Sequence, residues 1–358
     1  MGFARSILAL QGSIFDFRVM KIETRNLKPE TSSRTRDYCV AIRTLGTAGE
    51  KYKTLLESLV AQTLPPKKIL VYIPHGYPAQ KETVGVEQIV RCEKGMVTQR
   101  SLPFEEVDTE YILCLDDDLY LPPTLVEEMF DALENVHGDC ISPDMVNYKA
   151  SKKDRIISFM HSFTLPHFSK KWDCIVNKSG SFSYRVRKGG KVLPTQSAAF
   201  ACLLCKMDAF RAIHFEDERW IDQFRYASCD DQLFYYKLHL YGYKVYTFND
   251  SGMVHLDARA GGRHDVSEKL YNQKMIAFII WYRSCYHLLS NSGYDKVISF
   301  LAYCVQFLFG LVFLPLEVIY FRKLRYFKDY FKANIDGYRY VHSKEYLKIP
   351  IYDYYKKK

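Results

Sequence analysis

Three consecutive aspartates, at positions 116 to 118, follow an apolar run at residues 111–115. Such a run predicts a buried strand, and in an open α/β sheet ligands bind at the carboxyl ends of the strands. Crowded carboxylates repel one another unless a cation or hydrogen-bond donors hold them. Their oxygens suit Mg²⁺ or Mn²⁺ when substrate phosphates complete the shell. The alternative interpretation is a solvated acidic turn before a helix.

Composition narrows the class of protein. With 358 residues, 48% of them apolar and 25% charged, the chain can build a core. Its net charge of +9 is concentrated at the end, where residues 322–358 hold eleven Lys or Arg and four Asp or Glu. That distribution favours an anionic membrane surface or phosphorylated substrates. No arginine-rich tract or basic–aromatic motif indicates nucleic-acid binding.

The ten cysteines are scattered, mostly inside apolar segments, which is typical of free thiols in a reducing compartment. Cys202 and Cys205 form the C-x-x-C pattern, but they lie in a predicted strand that would direct the two thiols to opposite faces. Without a second pair of cysteines, we do not expect a zinc site there.

From residue 37, segments of strand length alternate with segments of helical periodicity. The predicted strands are residues 38–44, 68–73, 88–92, 110–115 and 140–142. One helix has Tyr52, Leu55, Leu56, Leu59 and Val60 on its apolar face, and a second covers residues 122–136. Thr47 and Glu50 have the spacing of a capping box. The β-α-β-β-α-β order predicts a mostly parallel sheet covered by helices.

Later elements are shorter. Residues 149–194 are polar and aromatic without clear periodicity, which predicts loops and short elements near the substrate. The elements predicted after them are a strand at 198–204, a helix at 207–213, a helix at 230–241 closed by Gly242, and strands at 244–248 and 253–256.

The C-terminal region contains an uncharged stretch at residues 297–316, long enough to span a bilayer. A single span would carry the lysine-rich tail across the membrane, against the positive-inside bias. Gln306, Gly310 and Pro315 also interrupt the stretch. We therefore predict an interfacial helix whose basic flanks touch anionic lipid. A buried helical hairpin and a true span are the alternatives.

These patterns predict three regions. Residues 1–36 form an extension or linker, and residues 266–358 form a helical, apolar and basic, membrane-associated region. Between them, residues 37–265 form the main domain, with a first half at 37–145 and a second half at 146–265.

A series of motifs over residues 37–256 resembles the family-two glycosyltransferases, which are inverting enzymes with the GT-A fold, a Rossmann-related mixed α/β sheet covered by helices. In order, the motifs are the strand ending at Arg43-Thr44, the segment Gln62-Thr63-Leu64-Pro65-Pro66, Gly95 followed by Gln99-Arg100, the D-x-D motif Asp116-Asp117-Asp118, the acidic pair Asp230-Asp231, and His255. None is specific alone, but their order and spacing together are.

The resemblance implies that residues 37–145 are the nucleotide-sugar half of the GT-A domain and residues 146–265 its acceptor half. It also implies a role for each matching residue. Asp118 is expected to bind Mn²⁺ or Mg²⁺, with His255 and Asp116 as further metal ligands. Of the pair Asp230 and Asp231, one is expected to be the catalytic base, with Asp231 as the candidate, and the other to cap the helix. The donor-binding residues that the resemblance implies are Arg43, Thr44, His75, Lys94, Gly95, Arg100, Asp116 and Asp117. In the loop around Gly261-Gly262, Arg259 and Arg263 are expected to close over the diphosphate.

Two positions depart from the family pattern. Arg43 stands where proline is common, and Ile73-Pro74-His75-Gly76 stands where acidic residues usually meet the nucleotide base. UDP is therefore only the expected nucleotide among several.

The sequence thus predicts a metal-dependent, inverting, non-processive glycosyltransferase of bacterial surface-polysaccharide biosynthesis. Its partners would be a nucleotide-sugar, a glycan or polyprenyl-linked acceptor and an anionic membrane surface, but no nucleic acid. It would act in the cytoplasm, peripherally at the inner face of the plasma membrane. A nucleotidyltransferase is one alternative, although residues 43–49 make a poor phosphate loop. A degenerate membrane-associated scaffold is another, although the carboxylates at 116, 118 and 231 are intact.

Overall fold

The structure, a computed structural model, describes residues 36–144, 167, 169–185, 190–224, 229–256, 266–287, 292–322 and 324–350, without the side chains of 266, 267, 317, 320 and 321. All of them belong to one compact unit, Arg36–Lys358. The predicted N-terminal extension up to residue 35 and the predicted roles of Arg259 and Arg263 lie outside the described residues.

The described strands build one large sheet and two small ones. In chain order they are β1 (Tyr38–Arg43), β2 (Lys68–Pro74), β3 (Glu87–Cys92), β4 (Tyr111–Asp116), β5 (Leu119–Tyr120), β6 (Cys140–Pro143), β7 (Cys174–Val176), β8 (Phe182–Tyr184), β9 (Val192–Pro194), β10 (Cys202–Lys206), β11 (Val245–Phe248) and β12 (Val254–His255). Eight of them form the central sheet, in the order β3-β2-β1-β4-β10-β6-β11-β9. Strands β5 and β12 pair with each other, as do β7 and β8.

The central sheet is mixed. Strands β1 to β4 pair in parallel, and β10 runs antiparallel to both of its neighbours, β4 and β6. Helices cover it, so the predicted GT-A-like mixed sheet is confirmed. Since β10 lies between β4 and β6, both predicted halves of the main domain contribute strands to one sheet.

The helices in the described part of the chain are α1 (Glu50–Val60), α2 (Met96–Arg100), α3 (Leu125–Val136), α4 (Met207–Ala212), α5 (Asp230–Leu240), α6 (Val266–Trp281), α7 (Gly293–Phe321) and α8 (Arg325–Val341). A 3-10 helix, Phe215–Gln223, precedes α5, a π-helical turn, Tyr282–His287, follows α6, and a short 3-10 helix, Tyr346–Lys348, follows α8. Gly242 follows α5 with a φ of 87°, which confirms the predicted glycine stop.

A hydrophobic core lies on each face of the sheet, which explains why the strands read as continuous apolar runs. In β1, Cys39 and Ala41 belong to one core, whereas Val40 and Ile42 belong to the other. Cys202 and Cys205 likewise point to different cores, as predicted, and both are free and buried.

Several predicted boundaries were wrong. Helix α1 begins after Gly49, which makes no side-chain cap, so the expected capping box does not form. Val60 is 54% exposed, because the buried face of α1 ends at Leu59. The strand expected from residue 198 begins only at Cys202.

Two further differences concern short elements. The strand predicted at 253–256 contains only Val254–His255, and it pairs with β5 instead of joining the central sheet. Within the segment expected to be loops, β9 pairs antiparallel with β11 and extends the central sheet.

The C-terminal helices pack as a group. Helix α8 lies against α6, where Tyr271 donates a 2.6 Å hydrogen bond to Asp336 and Phe278 packs on Gly337. Within α7, Gly293–Leu316 has a mean hydropathy of 2.3, and 17% of its most apolar window is buried. By length and composition alone, this segment could cross a membrane.

Candidate active site

The D-x-D motif follows β4 at the carboxyl edge of the sheet, directly beside the end of β1. Arg43 and Asp116 are register partners in these parallel strands, and Arg43 Nη2 donates a 2.5 Å hydrogen bond to Asp116 Oδ1. Burial raises the pKa of Asp116, while the charges of Arg43 and Arg100 oppose that rise. Burial also lowers the pKa of Arg43. Each group thus depends on the other to remain charged at this half-buried edge.

Asp117 joins the motif to the loop after β1. Its carboxylate accepts a hydrogen bond from the Thr44 hydroxyl, which in turn accepts from the Gly46 amide at 2.9 Å and from Gln80 Nε2 at 3.1 Å. Burial raises the pKa of Asp117 to about 6, with the Thr44 hydrogen bond opposing the rise. The predicted donor-binding residues Thr44 and Asp117 therefore act as one unit.

Asp118 and His255 meet because β5 and β12 pair. His255 is the register partner of Leu119, and the Leu256 amide donates to the Asp118 carbonyl at 2.8 Å. This pairing leaves His255 Nε2 3.4 Å from Asp118 Oδ1. The predicted carboxylate and imidazole ligands are thus adjacent, although the sequence separates them by more than a hundred positions.

These residues fit one kind of metal site. In the part of the chain that the structure describes, no group of three or more His, Cys, Asp or Glu could hold a metal ion. Two protein donors suit Mg²⁺ or Mn²⁺ bound largely by substrate phosphates and water, unlike a closed structural zinc site. Asp116, the third predicted ligand, pairs with Arg43, and its role in metal binding stays a prediction.

The predicted catalytic pair lies at the N-terminus of α5. Asp230 and Asp231 are the first two residues of this helix, as in the predicted helix at 230–241. Both carboxylates contact the guanidinium of Arg100, which is 6% exposed. The Asp231 side chain is 34% exposed and that of Asp230 only 7%, so Asp231 is the more accessible base. The charge of Asp231 also contributes to the raised pKa of Asp116, so it lies within electrostatic reach of the D-x-D motif.

Phe200, which the sequence analysis missed, lies beside both arginines. The guanidinium carbons of Arg43 and Arg100 are 4.9 and 4.8 Å from the centroid of its ring, and the ring is fully buried. An aromatic face at this distance attracts cations. Phe200 therefore holds the two arginines together despite their like charge. A single aromatic residue within an apolar segment of the sequence does not indicate that it packs against two arginines.

Arg100 is positioned by the 3-10 helix 215–223. Asp222 accepts hydrogen bonds of 2.8 Å from the amides of Val97 and Thr98, at the start of α2. Arg219 donates to the Ser101 hydroxyl at 3.1 Å, at the end of α2. A side chain at Gly95 would collide with the Asp222 carboxylate. Helix α2 is therefore held at both ends by the 3-10 helix, an arrangement that we call the clamp on α2. A glycine is needed at position 95 because any larger residue would displace Asp222.

The same 3-10 helix carries a buried ionic cluster, which we call the Glu218 cluster (Glu218, Lys237 and Arg283). Glu218 Oε1 accepts from Lys237 Nζ at 3.1 Å and from Arg283 Nη2 at 3.2 Å, and the Trp220 indole donates to Oε2 at 2.7 Å. Lys237 also donates to the His214 carbonyl, and Arg283 to that of Pro350. Burial raises the pKa of Glu218, but the two cations outweigh it and the pKa is about 2. The cluster ties α5 to the C-terminal region.

His75 and Lys94 follow β2 and β3 and form a separate exposed group. Lys94 Nζ lies 2.5 Å from the Tyr77 hydroxyl and 4.9 Å from the centroid of its ring. The His75 amide donates to the Cys92 carbonyl at 2.9 Å, which joins the two loops. They share the carboxyl edge with the D-x-D motif, and their contact with a donor stays a prediction.

Comparisons with known proteins were made for the whole chain. No curated protein matches the sequence significantly. Among solved structures, the crystal structure of S. aureus TarS 1–349 in complex with UDP-GlcNAc is similar, with 13% identity and a TM-score of 0.47 over 84% of this chain and 80% of that one. A crystal structure of S. aureus TarS has 13% identity and a TM-score of 0.45 over 75% and 43%, and TarS 1–349 with UDP has 14% and 0.40 over 81% and 74%.

The family comparison covers the central part of the site. Residues 79–203 match the family described as Glycosyl transferase family 2. This span includes α2 with Arg100, β4, the D-x-D motif, Phe200 and the first residues of β10. Two of the six motifs of the sequence resemblance lie within it, namely Gly95 with Gln99-Arg100 and the D-x-D motif. Residues 79–203, about a third of the chain, are thus similar to the family-2 glycosyltransferases.

Proposed function

We propose that this enzyme transfers a sugar from a nucleotide-sugar, with UDP as the expected nucleotide, to a hydroxyl group of a glycan or polyprenyl-linked acceptor. Transfer is metal-dependent, inverts the anomeric centre and is non-processive. It takes place at the inner face of the plasma membrane, in the assembly of bacterial surface polysaccharide.

The observation that carries the proposal is the convergence of two acidic groups at one sheet edge. Arg43 pairs with Asp116 of the D-x-D motif, and Arg100 contacts Asp230 and Asp231. Both guanidinium groups lie against Phe200. An acid-rich edge with buried cations behind it can receive a donor diphosphate with its metal on one side and an acceptor hydroxyl on the other.

Donor binding uses the D-x-D side of this edge. Asp118 and His255 would hold Mg²⁺ or Mn²⁺, which as a Lewis acid stabilises the charge that develops on the leaving diphosphate. Asp116, oriented by Arg43, would contact the ribose or the sugar. The Asp117–Thr44 unit fixes the turn, so that the neighbouring carboxylates are held before the donor arrives.

The acid–base step uses α5. The acceptor oxygen forms its bond to the anomeric carbon as the bond from that carbon to the diphosphate oxygen breaks. The diphosphate leaves with the electron pair of that bond, and the acceptor proton passes to the Asp231 carboxylate. A single displacement of this kind inverts the anomeric centre. The N-terminal end of a helix favours the ionised carboxylate that a base requires.

The test is a screen of nucleotide-sugars for release of nucleoside diphosphate, with Mn²⁺, Mg²⁺ or chelator present. We expect release that requires a divalent ion and is abolished by Asp118→Asn, while the thermal unfolding midpoint stays close to that of the wild type. Glu57→Gln, at an exposed acidic residue of α1, is the matched control and should remain fully active. Full activity in chelator would contradict the metal requirement.

Measurement of pyrophosphate release distinguishes the proposed reaction from the alternative, a nucleotidyltransferase. A nucleotidyltransferase would consume nucleoside triphosphate and release pyrophosphate. Pyrophosphate release, together with no turnover of any nucleotide-sugar, would overturn the proposed reaction.

A further inference from the structure

We infer that the outer faces of α7 and α8 form a docking surface for an anionic phospholipid bilayer, and that α7 lies in the plane of the interface without crossing. This surface shares no residue with the sheet edge that carries Asp116, Asp118 and Asp231. Membrane docking can therefore be tested independently of the proposed reaction.

One face of α7 is already occupied by α8. Tyr303 donates to Asn334 Oδ1 at 2.5 Å, and Tyr330 donates to the Phe307 carbonyl at 3.0 Å. Leu314 is buried against Tyr326 and Tyr330. Because contacts at positions 303, 307 and 314 of α7 meet positions 334, 330 and 326 of α8, the two helices form an antiparallel hairpin.

The opposite face of α7 is apolar and open. Its residues are between 49% and 71% exposed: Leu301, Val305, Leu308, Val312, Leu316 and Ile319. Their spacing of three or four positions keeps them on one side of the helix. A continuous exposed apolar surface of this kind marks an interaction site.

Helix α8 adds a second apolar stripe. Its buried face, which includes Ala333, Gly337 and Val341, packs into the protein. A separate row is between 37% and 85% exposed: Leu324, Phe327, Phe331, Ile335 and Tyr338. The Phe331 ring lies 6.1 Å from that of Phe307, which is on the face of α7 that packs on α8, so this stripe begins beside the contact between the two helices.

A basic row runs beside this stripe, one position further along the helix. It consists of Arg325, Lys328, Lys332 and Arg339, all exposed. Asp329 and Asp336 on the same helix pair with three of these cations, which leaves a positive excess. Exposed Arg322, Lys344 and Lys348 extend it. An apolar stripe flanked by Lys and Arg is the pattern of a helix that lies in a membrane interface.

The packing of α8 against α7 favours an α7 that lies on the bilayer over one that crosses it. A crossing α7 would carry α8, which is packed alongside it, into the hydrocarbon. The charged row of α8 would then lose its water, and each Lys or Arg in a bilayer centre is costly. Lying in the plane leaves that row at the headgroup level, where it can meet anionic lipid. The charge therefore favours an anionic bilayer over an uncharged apolar partner.

The experiment measures flotation of the full-length protein with vesicles of pure phosphatidylcholine or of phosphatidylcholine with phosphatidylglycerol. We expect the anionic vesicles to bind at least about tenfold more tightly, with the preference lost in high salt because screening shortens the reach of the charges. Phe327→Ser with Phe331→Ser should abolish binding, and Lys328→Gln with Lys332→Gln should weaken it by about tenfold.

The controls use matched exposed residues outside the hairpin. They are Val60→Ser and Lys53→Gln on α1. Val60 is 54% exposed, and the side chain of Lys53 is 42% exposed. Both variants should bind vesicles as the wild type does. Phe331→Ser also removes the contact with the Phe307 ring, so the thermal unfolding midpoint of that variant should fall somewhat, whereas the other variants should unfold close to the wild type.

Three results would overturn the inference. Equal binding to neutral and anionic vesicles would remove the electrostatic contribution. A reporter fused after Lys358 that is found on the opposite side of the membrane from the catalytic domain would show a crossing. Absence of vesicle binding, with dimers in light scattering that Phe327→Ser and Phe331→Ser dissociate, would show that a second copy covers the surface.

Discussion

Two of the ionic networks in the described part of the chain, the catalytic edge and the Glu218 cluster, are built from the same kinds of residue but differ in their balance of charge and in their exposure. At the edge, Asp116, Asp117, Asp118, Asp230 and Asp231 outnumber Arg43 and Arg100. In the Glu218 cluster two cations surround one carboxylate, and the side chains are between 0% and 3% exposed.

This is the difference that we expect between a reactive site and a structural one. The edge has an excess of negative charge, and the side chains of Asp231 and His255 are 34% and 38% exposed, so a cation and a hydroxyl group can reach it. The Glu218 cluster is closed by its own partners and by the carbonyls of His214 and Pro350. Substitutions should therefore change activity in the first network and folding in the second.

Glu218→Gln is expected to have the largest effect. It leaves Lys237 and Arg283 buried without a carboxylate, and breaking a buried ion pair costs about 3–5 kcal/mol. Urea denaturation should show this loss in the free energy of unfolding, while kcat for each folded molecule stays near normal. Glu216→Gln, two positions away with a 48% exposed side chain, is the matched control and should change stability little.

The same variant makes a pH prediction. Since the pKa of Glu218 is about 2 in the folded protein against an ordinary 4.5, its stabilisation is present above about pH 4.5 and is lost as the pH falls toward 2. The gap in unfolding free energy between wild type and Glu218→Gln should thus narrow in acid. A gap that stays constant down to pH 3 would show that Glu218 stabilises by packing alone.

Asp231→Asn should give the opposite result at the catalytic edge. The amide keeps the shape of the side chain but cannot accept the acceptor proton, so the rate should fall at least about a hundredfold. Donor binding and the unfolding midpoint should be preserved. If Asp230→Asn loses the rate and Asp231→Asn keeps it, the two roles are exchanged.

Asp222→Ala should have the smallest effect on activity and stability. It tests the connection between the 3-10 helix that carries Glu218 and the helix α2 that carries Arg100. Loss of a helix N-terminal acceptor costs about 1 kcal/mol, and the freed α2 should displace Arg100, so that kcat and stability both fall modestly. Asp222→Asn keeps an acceptor oxygen and should restore part of both. Normal kcat in Asp222→Ala would show that Arg100 does not need this clamp.

Much of the edge could be predicted from sequence, because strand ends have a simple geometry. Apolar runs locate β1 and β4, and the carboxyl ends of neighbouring parallel strands meet, so Arg43 and the D-x-D motif could be placed together. The opposite faces of Cys202 and Cys205 followed from strand alternation in the same way.

The remaining contacts could not be predicted because no local pattern specifies them. Arg100 reaches Asp230 and Asp231 across more than a hundred positions. The acidic residues between 216 and 222 read as a solvated stretch, although one is fully buried and another caps α2. His255 meets Asp118 through a two-residue strand, which is too short for a periodic signal, so only the family resemblance placed these two residues in one site.

The clamp on α2 has a consequence for how the enzyme is made. A helix of only five residues does not form on its own, and the residue that caps α2 lies 125 positions after Val97. As the chain leaves the ribosome, the D-x-D strand therefore emerges well before the segment that orders Arg100. Until residues beyond 222 have folded back, the nascent chain holds the D-x-D carboxylates without an ordered Arg100, and under the proposed mechanism catalysis begins only after this late, long-range step.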